Sequence, residues 1–338
     1  MSCPIPQARR DAVDRALNAA FRTTRLDSVT PITGGLSGAG LFRIRVGGIA
    51  YVLRLEPPPH AFGDPVRGHA CMRTAAAAFL APRVRYADAV DGVAIMDLIE
   101  TRSIAQEYPG DGLPLITELA QAVRILHDTP AFPALVDYLD GIDMLIAQQR
   151  AAAFLDPEAL EPAFAGFAVL RTVYRTRPED LVSSHNDLNP NNILYDGRRL
   201  WLIDWETAFL ADRYVDLASV ANWFGGDDRR DERLLVTYFN AEPTSEQRAR
   251  FHLMRQVNHL FYGLIFLAGA AAERPGHLPA ERGLSGPDLA TLRQQLFNGD
   301  LSLVAWDDRV TYGRARLAAA TGGLRGPAFE TALAALAA

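Results

Sequence analysis

The side chains best suited to chemistry lie between residues 184 and 206, Ser-His-Asn-Asp-Leu-Asn-Pro-Asn-Asn-Ile-Leu-Tyr-Asp-Gly-Arg-Arg-Leu-Trp-Leu-Ile-Asp-Trp-Glu. His185, Asp187 and Asn192 have the spacing H-x-D-x-x-x-x-N, in a stretch too rich in Asn and Pro to be helical. Ile193–Tyr195 and Leu200–Ile203 read as short apolar strands around Asp196-Gly197. With the turn at Asp196–Arg199, Tyr195 faces Leu200, and Asn192 falls opposite Ile203, beside Asp204. Such a hairpin delivers an amide oxygen and a carboxylate to one spot, with Asp187 close by on the irregular loop. Magnesium takes oxygen ligands, uses few from the protein, and fills the rest of its shell with water and substrate phosphates. A carboxylate beside it orients an acceptor hydroxyl and takes its proton as a phosphoryl group moves. The chemistry expected is phosphoryl transfer.

The first hundred residues read as strands. Ser28–Ile32 runs into a glycine-rich turn at residues 34–40, and Phe42, Ile44 and Val46 then alternate with Arg43 and Arg45, the period of a strand with one wet face. Gly47-Gly48 turns the chain back into Ile49–Leu55. After a Pro-rich break at 57–59, a helix is expected from about Pro65 to Leu80, and Arg83–Tyr86 with Val93–Leu98 forms a second hairpin. Beyond Glu100 the spacing turns helical, as at Leu119, Val123 and Leu126, and approximately at Leu135, Leu139 and Leu145. Arg248–Ala272 is a long helix, and the tail from Gly286 holds two or three more. Five strands with one inserted helix, followed by a helical remainder, make an α+β chain whose boundary falls near residues 97–102.

Composition narrows the classes. Of 338 residues, 34 are basic, and every one is arginine, against 40 acidic, for a net charge of −6. This argues against a nucleic-acid partner, and the lack of lysine excludes a lysine Schiff base and the Walker A motif. Two cysteines, Cys3 and Cys71, are too few for a disulfide framework or a four-ligand zinc site. The N-terminus lacks a signal-peptide apolar stretch, and the most apolar run, Leu260 to Ala272, is too short for a bilayer span. A cytoplasmic chain with no membrane partner is expected.

The segment His-Asn-Asp-Leu-Asn-Pro-Asn-Asn-Ile-Leu, followed by Leu-Ile-Asp-Trp-Glu and by Asp-Leu-Ala-Ser-Val-Ala-Asn-Trp-Phe, resembles the choline/ethanolamine kinase and aminoglycoside phosphotransferase superfamily. The likeness spans roughly residues 25–270; His-Asn-Asp and Ile-Asp-Trp-Glu lean toward the choline/ethanolamine branch. It implies a two-lobed, protein-kinase-like fold: a nucleotide-binding lobe at 1–99, with a small antiparallel sheet and one helix, and a helical catalytic and substrate lobe at 100–338. By this resemblance Asp187 is the catalytic base, Asn192 and Asp204 hold Mg²⁺, and Asp216 braces the catalytic loop. His185 is expected to support the loop through its backbone. Gly35, Ser37 and Gly38 sit where a lid over ATP phosphates is expected. Arg54, ending Tyr-Val-Leu-Arg, stands where kinases place the phosphate-binding lysine, and Asp97, Leu98 and Ile99 would line the adenine.

One departure is visible. Kinases usually pair that cation with a glutamate on the following helix, yet Val66–Leu80 holds no acidic residue, and Gly68 and His69 occupy the region instead. Either Asp64 substitutes, or the phosphates alone hold Arg54. The acceptor implied is a small molecule bearing a hydroxyl, and a cationic one would suit Glu206, Asp212, Asp227 and Asp228. Trp205, Trp223, Phe224, Tyr262 and Trp306 are aromatics that could box an ammonium, and Asn189, Glu206 and Trp223 are the candidate acceptor contacts. Against choline itself, Thr207 follows Ile-Asp-Trp-Glu where choline kinases typically carry a tyrosine. The acceptor expected is a cationic amino alcohol such as choline or ethanolamine, with an aminoglycoside or another small alcohol as the alternative; the oligomeric state stays open. A pseudokinase has the missing glutamate as its sole support, and a protein kinase lacks its Ala-Pro-Glu element.

Overall fold

The structure, a computed structural model, describes residues 4–32, 38–57, 63–108 and 112–337. The chain opens with helix α1 (Arg10–Phe21) and strands β1 (Ser28–Pro31), β2 (Gly40–Val46) and β3 (Ile49–Leu55), then α2 (Pro65–Ala77), β4 (Val84–Asp88) and β5 (Val93–Asp97). These five strands form one antiparallel sheet in the order β1-β2-β3-β5-β4. Next come α3 (Ile104–Glu107), α4 (Leu113–His127), α5 (Tyr138–Ala152) and α6 (Pro157–Val173), then β6 (Leu181–Ser184), β7 (Ile193–Tyr195), β8 (Leu200–Leu202) and β9 (Phe209–Asp212). The remainder is helical: α7 (Arg213–Phe224), α8 (Asp228–Phe239), α9 (Ser245–Glu273), α10 (Leu289–Asn298), α11 (Trp306–Gly323) and α12 (Pro327–Ala337).

By packing the chain forms two compact units, one of Met1–Leu135 with Val182–Leu210 and the other of Val136–Leu181 with Ala211–Ala338. The change from strands to helices near residue 99 is thus a boundary in secondary structure, while the boundaries in packing fall elsewhere. In the first unit the sheet obeys its two-residue period. Phe42, Ile44 and Val46 on β2, with Tyr51, Leu53 and Leu55 on β3, are buried on one face. The Gly47-Gly48 turn has φ of 58° and 79°, the left-handed pair that a tight hairpin requires. Helix α1, which the sequence reading missed, covers that face: Val13, Ala16 and Leu17 enter the same cluster as Phe42, Leu53 and Ile95. Its signal is the i, i+3, i+4 spacing of those three residues. With one face so covered, Arg54 projects from the opposite face of β3.

In the second unit α9 is the central helix, with Leu253, Val257, Leu260, Leu264 and Leu267 wholly buried. A capping box at Thr244 and Gln247 starts it. Leu135 lies outside α5, whose N-cap is Asp137. The expected helical spacing therefore begins later than Leu135, at Leu139, because the Asp137 carboxylate accepts the N–H groups of Leu139 and Asp140.

Candidate active site

The β7–β8 hairpin has the expected register: Tyr195 opposes Leu200 and Ile193 opposes Leu202, and the N–H of Ile203 donates to the carbonyl of Asn192 at 3.0 Å. The hairpin turn is held by the Asp196 carboxylate, which accepts from the N–H groups of Arg198 and Arg199 and from Trp201 Nε1. The loop before β7 is laced to the turn after β8. The His185 ring lies fully buried against Trp205, with Nε2 2.9 Å from the Ile203 carbonyl. Asn186 Nδ2 donates to the Thr207 carbonyl, and Thr207 Oγ1 returns a bond to the His185 carbonyl. Thr207 is therefore a strut of this segment. Asn186 and Asp204 both adopt positive φ, 66° and 67°, a conformation that Asn and Asp tolerate better than most residues and that clusters at functional sites.

These struts bring the sequence-derived residues together. Asn192 is buried, and its Nδ2 donates to the Asp187 carboxylate at 3.0 Å and to the Asp187 carbonyl at 2.9 Å. Asn189 Nδ2 donates to the other Asp187 oxygen, and its own Oδ1 accepts from the N–H of Asn191, so Asn189 serves the loop. Arg54 gathers three carboxylates: Nη1 lies 3.0 Å from Asp204, Nη2 3.0 Å from Glu206, and Nε contacts both oxygens of Glu56 at 2.9 and 3.0 Å. Burial disfavours the charge on this guanidinium, but Asp204, Glu56 and Glu206 outweigh it and hold its pKa above the ordinary arginine value. Glu206 is pushed up to about 7, by burial and then by the negative charge of Asp204, with Glu56 and Asp187 adding to it and Arg54 opposing.

Two expectations need correction. Asp64 does not partner Arg54; its carboxylate caps α2 by accepting from the N–H of Val66. The partner is Glu56, which the sequence reading overlooked although two residues along a strand share a face. His69 Nε2 sits 3.2 Å from Glu56 Oε1, so the helix contributes an imidazole where a carboxylate was expected. The aromatic box also fails. The guanidinium of Arg316 stands over Trp223 at 4.3 Å and over Tyr262 at 5.1 Å. Trp205 packs on Phe132 and His185, and Trp306 donates to the Ala270 carbonyl beneath Arg274. Four of the five candidate rings are thus engaged by the protein itself.

The remaining expected positions distribute as follows. Gly38 has φ of 70°, while Gly35 and Ser37 lie outside the described residues. Asp97 ends β5 with its N–H donated to Arg83 and its carboxylate held by Arg85; Leu98 and Ile99 follow outside the strand. Trp223 and Asp216 belong to the second unit, Asp216 wholly buried in the first turn of α7. Asp212 is the cap of that helix and Asp227 the cap of α8.

The donor set suits a hard divalent cation. Among the described residues no three His, Cys, Asp or Glu side chains converge as a ligand cage. One carboxylate, Asp204, and the amide oxygen of Asn192 are what an ion that keeps water and phosphate ligands needs.

An antiparallel sheet bearing a central arginine, followed by a loop and hairpin that converge on Asp187, Asn192 and Asp204, defines a kinase-like phosphotransferase. The chain belongs to the phosphotransferase enzyme family known as APH, whose model matches residues 28–252. An aminoglycoside 3′-phosphotransferase of Streptomyces fradiae is 30% identical over 195 residues, covering 51% of this chain and 71% of that protein. The fold is that of a choline/ethanolamine kinase family protein from Mesorhizobium loti, with a TM-score of 0.70, 20% identity, and 97% and 99% of the two chains covered. The streptomycin–ATP–APH(2″)-IIa ternary complex matches with a TM-score of 0.58 and 16% identity, over 79% of this chain and 91% of that one. No described helix is long and apolar enough to cross a membrane.

Proposed function

We propose that the protein is an ATP- and Mg²⁺-dependent kinase that moves the γ-phosphoryl group to a hydroxyl of a small acceptor. The observation that carries this reading is the Asp187–Asn192 pair at 3.0 Å beside Asp204, whose carboxylate is matched to a phosphate-seeking arginine. In this reading residues 1–99 form the nucleotide-binding lobe and 100–338 the catalytic and substrate lobe. Gly38 covers the phosphates, and Leu98 and Ile99, whose backbone lies beyond the β5 ladder, take the adenine edge. Asn192 Oδ1 and the Asp204 carboxylate would hold Mg²⁺, which when bound neutralises phosphate charge. Asn192 Nδ2 and Asn189 Nδ2 orient the Asp187 carboxylate, and Asp187 accepts the proton of the acceptor hydroxyl as it attacks. His185 keeps this loop on the Ile203 carbonyl, and the site of action in this reading is the cytoplasm.

For the acceptor, the lean toward the choline/ethanolamine branch is set against the aminoglycoside phosphotransferase likeness at 30% identity. Two observations favour an aminoglycoside-like or other small alcohol over choline: Arg316 fills the ring faces of Trp223 and Tyr262, and Thr207 is a strut. ATP consumption on a panel of aminoglycosides, choline, ethanolamine and simple sugars with Mg²⁺ tests the reading. Turnover on at least one acceptor is expected, and tight nucleotide binding with no turnover on any would point to a pseudokinase instead.

A further inference from the structure

The cation of the site has an unusual anchor. Arg54 presents five N–H donors, and the structure divides them by partner: Nε goes to Glu56, while the two terminal nitrogens go to Asp204 and Glu206. Those terminal nitrogens form the fork that grips a phosphate bidentately. Asp204 is also the carboxylate a divalent ion would claim. When nucleotide enters, the partners on the fork are the exchangeable ones, and the partner on Nε is the one that stays.

Glu56 is built to stay. It follows β3 directly, its N–H donates to the Gly92 carbonyl at 2.8 Å, and its own carbonyl accepts from Arg9 Nη1 at 3.1 Å. Arg9 also reaches the carbonyls of Asp91 and Gly92, so this backbone is tied from two sides. The side chains of Glu56 and Arg54 are about nine-tenths buried, at 10% and 11% exposure. From α2, His69 Nε2 meets the same Glu56 oxygen that Arg54 Nε touches at 2.9 Å. Helix α2 is itself pinned by Arg67, which donates to the carbonyls of Glu206 and Ala208. Burial would raise the Glu56 pKa, but the bond from His69 and the charge of Arg54 bring it below the usual carboxylate value, so it stays ionised.

We infer that Glu56, supplied by the strand and braced by His69 from the helix, is the positioning residue that aims the Arg54 fork at nucleotide phosphates. It takes the place of a carboxylate carried on α2. The inference rests on the reading of Arg54 as a phosphate-binding residue.

The test measures nucleotide affinity by calorimetry with ATP, with and without Mg²⁺, alongside KM for ATP and for the acceptor. Glu56→Gln keeps the shape and loses the charge. It is expected to weaken ATP binding about 10- to 100-fold, the range for a charge-assisted bond, with the acceptor KM changed less than about twofold. His69→Ala is expected to give a smaller loss, and His69→Gln, whose amide also donates to Glu56, to recover most of it. The decisive variant moves the charge: Glu56→Ala with His69→Glu returns a carboxylate to α2 and is expected to bind ATP more tightly than Glu56→Ala alone. A double variant no better than Glu56→Ala overturns the inference. So does wild-type ATP affinity in Glu56→Gln where Arg54→Ala has lost it, an outcome that leaves the nucleotide site standing. If the unmodified protein binds no nucleotide, the functional reading falls too.

Discussion

Two buried arginines show opposite solutions to the same problem. Arg54, in the first unit, is surrounded by Glu56, Asp204 and Glu206. Arg316, in the second, is wholly buried and has no carboxylate partner among the described residues. It lies over the rings of Trp223, Tyr262 and Tyr312 and meets His259 Nδ1 at 3.0 Å and the Tyr312 hydroxyl at 3.2 Å. The electrostatic results diverge accordingly. Acidic neighbours hold Arg54 above the ordinary arginine value, while burial depresses Arg316, with Tyr312 and Tyr262 opposing only in part. His259 is pushed well below the usual imidazole value by burial and then by Arg316, so it stays neutral and its ring nitrogen can accept from the guanidinium. A cation among carboxylates has partners that, on the proposed reading, phosphates replace. A cation among ring faces is committed to packing.

The largest effect is expected at Asp187, the proposed base of the first unit. Asp187→Ala is expected to cut turnover by about 10²-fold or more, with ATP affinity and melting temperature nearly unchanged; full activity in this variant would remove Asp187 from its role. The two arginines then separate under one substitution. Arg54→Met is expected to lower ATP affinity by about tenfold or more, the scale of a lost charge-assisted contact, while the fold persists. Arg316→Met should leave ATP affinity unchanged and hold or raise the melting temperature, because an apolar side chain of similar length avoids the desolvation of a buried charge. Equal effects on ATP binding from the two would dissolve the distinction.

The smallest effect is a pH dependence in the second unit. Asp212 is pushed up to about 6 by burial, although the Tyr214 N–H and the Tyr174 hydroxyl stabilise its ionised form. An unfolded Asp titrates near 3.9, so between about 4 and 6 the native state binds the extra proton. The contribution of Asp212 is therefore fully present below about pH 4 and is lost as pH rises to about 6. Asp212→Asn, which still caps α7, is expected to flatten the decline in melting temperature across that window. An unchanged slope would show that Asp212 is not its source.

Much of the site was legible because it is local. The hairpin that joins Asn192 to Asp204 follows from strand period and turn length, and both act over a dozen residues. The family likeness read between residues 184 and 224 agrees with the match over 28–252. Glu56 is equally local, two residues beyond Arg54 on the same face, but it does not lie on the helix that usually carries the carboxylate. Helix α1 was equally legible: Val13, Ala16 and Leu17 form its apolar stripe, with Ala12, Ala20 and Phe21 packed beside it.

The order of side chains along the chain determined by itself which face of β3 Arg54 occupies and that Asn192 and Asp204 flank one hairpin, because a strand alternates its side chains and a tight turn sets its register; Asp187, on the irregular loop, is held by Asn189 and Asn192. Partnership was decided only in three dimensions. His69 meets Glu56 because Arg67 ties α2 to the turn after β8, and Trp223 and Tyr262 hold no open cage because α11 places Arg316 against them. Such contacts depend on how whole elements pack, and desolvation selects among them once that packing has brought distant charges and rings together.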